Sequence, residues 1–134
     1  MDIRISFPGG ARVDADIGGF TVRTDQPPDA TAPSPFTLFL ASIGACAGVY
    51  VQAFCRKRGI ATDGIQIVQA NRSLSSGVVD RIELTIQLPP DFPEQYREAV
   101  VRAADRCIVK QHLERPPEIE VRAVISGPVE ARAI

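Results

Sequence analysis

The stretch "SPFTLFLASIGACAGVYVQAFCRKRG", Ser34 to Gly59, decides the fold. From Pro35 to Phe54 it carries no charge, and the whole stretch holds two of the chain's three cysteines, Cys46 and Cys55. Its ends are signed as helix ends. Ser34 suits the N-cap and Pro35 the first helical position. Arg56, Lys57 and Arg58 fall in the last turn, where cations oppose the negative end of the dipole, and Gly59 is a natural stop. One helix of roughly six turns is predicted.

The uncharged run is long enough to cross a bilayer, and Gly44 and Gly48 even form a GxxxG spacing. The rest of the chain argues against a span, because half-wet strands and an amphipathic helix surround the run. A helix apolar all round must instead be buried on all sides. One subunit of 134 residues can hardly bury it alone, so a homodimer with this helix in its interface is expected. Gly44, Ala45, Ala47 and Gly48 would let another element approach its backbone closely.

Before it, "DIRISF", "ARVDADI" and "FTVRTD" alternate apolar and polar residues and are separated by "PGG" and "GG" turns. They predict a three-strand meander. "QPPDATAPSP" is a loop. After it, "GIQIVQAN" and "VDRIELTIQL" read as strands. In the second, Ile82, Leu84, Ile86 and Leu88 face one way and Arg81, Glu83, Thr85 and Gln87 the other, so one sheet face is wet. A second helix is predicted from about Pro93 to Leu113, with Tyr96, Val100, Ala103, Cys107 and Ile108 inward. Arg97, Glu98, Arg102 and Asp105 lie on its outer side. "EIEVRAVI" is read as a final strand, with Ile119, Val121, Ala123 and Ile125 on one face. The order is βββ-α-ββ-α-β, an α+β class in one domain spanning 1–134.

Composition narrows the function. With 45% hydrophobic and 23% charged residues the chain is of ordinary globular type. A net charge of −1 offers no footprint for nucleic acid or an anionic membrane, so neither is an expected partner. A single histidine excludes a multi-histidine metal site, and no metal or cofactor is expected. The start "MDIRISFPGG" lacks the basic and apolar regions of a signal peptide, so a cytoplasmic location is expected. Three widely spaced cysteines form neither a CxxC pair nor a secreted disulfide framework.

In a cytoplasmic chain these thiols are core residues, redox residues or both. Cys46 and Cys55 are nine positions apart, half a turn away on a helix, and cannot share a site within one subunit. Cys107 lies on the inward side of the second helix, and it can meet Cys46 if the two helices pack on those faces. Free cysteine is among the most buried residue types, so a plain core role competes at each position and leads for Cys55. His112 reads as a capping or surface residue, and Tyr50, one turn beyond Cys46, as core or pocket wall.

"APSPFTLFLASIGACAG" resembles the first-helix cysteine motif of the OsmC/Ohr family of osmotically inducible and organic-hydroperoxide-resistance proteins. "RCIVKQHL" is similar to that family's second cysteine motif, and the element order is similar too. The resemblance covers nearly the whole chain. It implies an intertwined α/β homodimer with two long central helices packed with antiparallel sheets and sites at the subunit interface. It also implies reduction of organic hydroperoxides by a cysteine pair that a dithiol reductant recycles. Cys46 matches the peroxidatic cysteine and Cys107 the resolving one. Arg23 is the best match for the activating arginine, ahead of Arg12 and Arg4. An apolar pocket with Phe36, Phe39 and Tyr50 would suit an alkyl peroxide. The chain departs from the pattern in two places. Peroxidase members carry a glutamate after the motif proline, where this chain has Phe36 and Thr37, and no carboxylate occurs between Ala32 and Asp63. Ile108 follows Cys107 where proline is common. The alternative reading is a non-catalytic module that binds an apolar small molecule or a sulfur species in the same pocket.

Overall fold

The computed structural model describes residues 1–73 and 77–126. Three antiparallel strands, β1 (Ile3–Gly9), β2 (Arg12–Ile17) and β3 (Phe20–Thr24), form the expected meander. Its register pairs Ile3 with Ile17 and Ile17 with Phe20, and pairs Ile5 with Ala15 and Ala15 with Val22. One face of this sheet is therefore apolar. The other face carries Arg4 opposite Asp16, and Asp14 opposite Arg23.

Helix α1 (Pro35–Lys57) follows. The Ser34 Oγ accepts the Thr37 amide at 3.2 Å, and Gly59 closes the far end at φ +65°, a conformation that costs a side chain dearly. The small residues of α1 do admit another element, and within the chain that element is a strand. A Cβ on Gly44 would lie 2.5 Å from the Gln69 Oε1, and one on Gly48 would lie 3.8 Å from Ile67. Gln69 fixes this approach by donating from Nε2 to the Leu40 carbonyl at 2.9 Å.

Strands β4 (Gln66–Ser73) and β5 (Val79–Gln87) pair antiparallel. As the alternation predicts, Leu84 and Ile86 pack inward, while Arg72 and Arg81 hold Glu83 on the wet face at 3.4 and 2.7 Å. The core gathers Ala47, Val51, Phe54 and Cys55 of α1 with Phe92, Val100 and Ala104. No residue of β1–β3 belongs to it.

Two expectations need correction. The second helix is not continuous. A 3-10 turn at Glu94–Tyr96 leads into α2 (Arg97–Asp105), and a separate α3 (Ile108–Glu114) follows. The chain breaks because Cys107 turns to φ −49°, ψ 131°, an extended conformation. Gln111 donates to the Arg106 carbonyl at 2.8 Å and Lys110 pairs with Asp105, so both side chains span the break. Ile108, expected inward, is thereby half exposed. The final strand is also not formed within the chain. Residues 118–126 carry no ladder, and Ile119, Val121 and Ile125 are 82%, 90% and 100% exposed. An apolar strand gains its stability from a sheet edge and a covered face, and one chain alone offers this segment neither.

A pair of thiols at a helix break

The break in the second helix builds the candidate site. Cys107 stands at the N-cap of α3, where the first backbone N–H groups of a helix lack partners inside it. The backbone amides of Lys110 and Val109 act to lower the pKa of the Cys107 thiol. Across from it, α1 presents Cys46, whose pKa the Cys107 thiol and the amides of Val109 and Ile108 act to lower. The Val109 amide acts on both thiols. Both are reduced, with Cys107 buried and Cys46 half-buried.

The two thiols are driven apart. Burial pushes Cys46 up, but the Cys107 S–H and the two amides outweigh it, and its pKa falls below the ordinary 9.0. Burial raises Cys107 as well, and its role as donor to Cys46 raises it further, against the pull of the Lys110 and Val109 amides. Of the two, Cys46 is shifted down and Cys107 up. Such a split between neighbouring groups is how one site separates a nucleophile from a reserve thiol.

Arg23 is not among the groups that act on Cys46. It is exposed on β3, opposite Asp14. Of the three arginines before α1, Arg12 is the one with an ion-pair partner among the described residues, Asp14 at 2.8 Å. Asp14 is buried, and its second oxygen, Oδ1, has no partner there. Phe36 and Phe39 stack at 5.9 Å between centroids but stay half exposed. Phe39 lines an apolar groove with Ile108, Val109 and His112, beside the amides that hold Cys46. Neither Phe36 nor Tyr50 lines that groove. Cys55 lies on the far side of α1, fully buried, with its thiol raised by burial.

Reasoning from sequence missed the second wall of the site. A cavity of about 310 Å³ opens behind Cys107, lined by Ile43, Ala47, Ile82, Leu84 and Ile86, with Asp105 and Lys110 also in its wall. The inward alternation of β5 marks the strand part of that wall. The amides of Ile108 and Val109 were not legible, because no proline or glycine announces the break at Cys107.

A family model described as OsmC-like protein matches residues 28–122. Solved structures share the fold at low identity. A candidate osmotic-stress-induced and detoxification-response protein from Psychrobacter arcticus 273-4 is 17% identical, with 81% of this chain and 85% of that one covered and a TM-score of 0.69. An OsmC-like protein from Mycoplasma pneumoniae is 16% identical over 84% and 86%, at 0.64. The organic hydroperoxide resistance protein OhrB of Bacillus subtilis is 21% identical over 84% and 90%, at 0.50. No curated protein matches the chain in sequence.

Proposed function

The chain belongs to the OsmC-like protein family, and from that premise we propose that it reduces organic hydroperoxides through Cys46 and Cys107. The observation that carries the reading is that the helix break sets Cys107 against the face of α1 that bears Cys46, in a cavity wall shared with Ile43 and Ala47, and the two thiols shift in opposite directions, Cys46 down and Cys107 up. The Cys46 thiolate attacks the distal peroxide oxygen. The O–O bond breaks, the alkoxide leaves and takes a proton to become an alcohol, and Cys46 becomes a sulfenic acid. The Cys107 sulfur then attacks the Cys46 sulfur. The S–O bond breaks, hydroxide leaves as water, and a disulfide remains. An external dithiol returns both thiols to their reduced state, in keeping with a reducing, cytoplasmic setting. The structure of one chain supports backbone amides as the activating groups at Cys46. Arg23, and a pocket including Phe36, Phe39 and Tyr50, belong to this reading only in a dimer.

A dimer accounts for what one chain leaves open. The apolar face of β1–β3 carries Phe7 at 80% and Phe20 at 75% exposure, and only 22% of the most apolar part of α1 is buried. Contiguous apolar surface of this kind marks an interface. The same partner would offer an edge to residues 118–126 and a donor to Asp14 Oδ1.

The test is consumption of cumene hydroperoxide with a dithiol reductant. Wild type consumes it and Cys46→Ser does not; equal rates end the reading. The cavity behind Cys107 favours a second reading, a module that holds an apolar ligand without chemistry. That reading predicts ligand binding by wild type and Cys46→Ser alike, with no peroxide turnover by either.

A further inference from the structure

Lys110 and Cys107 line the same cavity, three positions apart across the start of α3. The ammonium is anchored by Asp105 across the helix break and lies 3.9 Å from Glu114. The elements around this cavity bring few other charges. α1 contributes Ile43 and Ala47, α2 contributes Asp105, and β4 and β5 contribute only apolar side chains, while the Cys46 thiol acts on Cys107 from α1. Lys110 is therefore the one cation among the described residues in the wall that Cys107 shares.

We propose that Lys110 is a positioning residue for the resolving step, its ammonium stabilising the Cys107 thiolate as that sulfur prepares to attack Cys46. The proposal rests on Cys107 as the resolving thiol. In the reduced pair Cys107 lends its proton to Cys46, which suits the first step and hinders the second. Once Cys46 is a sulfenic acid it no longer needs that proton. Cys107 must then lose it inside an apolar wall, where a lone thiolate is poorly solvated. A cation in the same wall offsets that cost. The balance of the step is unchanged. The Cys107 proton goes to solvent, the new S–S bond forms as the S–O bond breaks, and the departing hydroxide takes up a proton as water.

A structural staple is the competing role, because Lys110 and Asp105 tie α2 to α3. The two roles part on Asp105. If Lys110 only staples, Asp105→Asn harms the site as much as Lys110→Gln. If Lys110 acts by charge, Asp105→Asn removes the anion that offsets the ammonium and has the opposite effect on Cys107.

The test titrates Cys107 by the carbon-13 shift of its Cβ in the reduced, full-length chain, a readout that needs no peroxide. Lys110→Gln is expected to move the titration up by about one unit, which makes the thiolate tenfold scarcer at neutral pH. Lys110→Arg is expected to restore it, and Asp105→Asn to move it down. Disulfide closure after one equivalent of cumene hydroperoxide then slows about threefold at neutral pH in Lys110→Gln, since each remaining thiolate is more nucleophilic by about threefold. For the same reason the variant overtakes wild type at strongly alkaline pH, a crossing that a loosened fold would not produce. An unmoved Cys107 titration in Lys110→Gln overturns the proposal, as does an Asp105→Asn shift in the same direction as Lys110→Gln. If Lys110→Gln fails to fold, the Asp105→Asn titration decides alone. Wild type that titrates as expected yet consumes no peroxide would sink the peroxidase reading and leave the Lys110–Cys107 coupling standing.

Discussion

At the scale of single residues, the proposed chemistry depends on how the Cys107 thiol and two backbone amides act on Cys46. Cys46 is held below the ordinary 9.0 by the Cys107 S–H and by the amides of Val109 and Ile108, which together outweigh burial. Sulfenic acid formation on Cys46, followed by dimedone capture in a single turnover, should therefore be flat above the Cys46 pKa. Below it, the rate should fall about tenfold per unit as the thiolate is lost. Cys107→Ala removes the S–H donor, so its profile should lie at higher pH; a profile that stays in place would show that the thiol does not support the thiolate. Cys55 makes a contrast. It is fully buried on the opposite side of α1, so Cys55→Ser places a hydroxyl in an apolar core at a cost of about 1–3 kcal/mol. Denaturant melts should show that loss with peroxide consumption unchanged. The half-turn between Cys46 and Cys55 was legible from spacing alone, whereas the amides at Cys46 were not. Side-chain periodicity reports which way a residue points and is silent on where a backbone bends.

At the scale of elements, end signals were the most legible part of the sequence. Ser34, Pro35 and Gly59 bound α1 as their chemistry requires. Gly59 sits at φ +65°, so Gly59→Ala should destabilise the chain by about 1–2 kcal/mol, read as a lower urea midpoint. The loop before α1 is set by Asp25. Its carboxylate accepts from the Gln26 amide at 2.8 Å, the Thr31 amide at 2.9 Å and the Thr31 hydroxyl at 2.8 Å. The Thr31 amide first, then the Gln26 amide and the Thr31 hydroxyl, hold its pKa below the ordinary 3.8. A depressed carboxylate stabilises the fold fully above its unfolded value and loses that contribution as pH falls through its folded one. Acid unfolding below about pH 4 should thus be shallower in Asp25→Asn than in wild type. Equal slopes would show that the loop bonds survive protonation. The helix break at Cys107 was hidden for a physical reason. Gln111 and Lys110 compensate it from the far side, so no glycine or proline is needed.

At the scale of the whole molecule, one chain does not cover what its sequence offers for burial. The apolar face of β1–β3, much of α1 and the segment 118–126 all remain open. The alternation of "EIEVRAVI" was read as a strand, and alternation does record which face wants burial. It does not record whether the sheet that buries it belongs to the same chain. The wild-type protein should therefore run as a dimer in light scattering, and Ile5→Lys, which sets a charge in the apolar face, should shift it toward monomer. A monomeric wild type would remove the interface on which Arg23, Phe36 and Tyr50 depend. The most direct test of the central claim is made on that assembled, reduced protein. One equivalent of cumene hydroperoxide is added without reductant, and the cysteine-containing peptides are mapped by mass. The account predicts a disulfide joining Cys46 to Cys107 within one turnover, with Cys55 still a free thiol. Recovery of all three cysteines as free thiols, with the hydroperoxide intact, would contradict it.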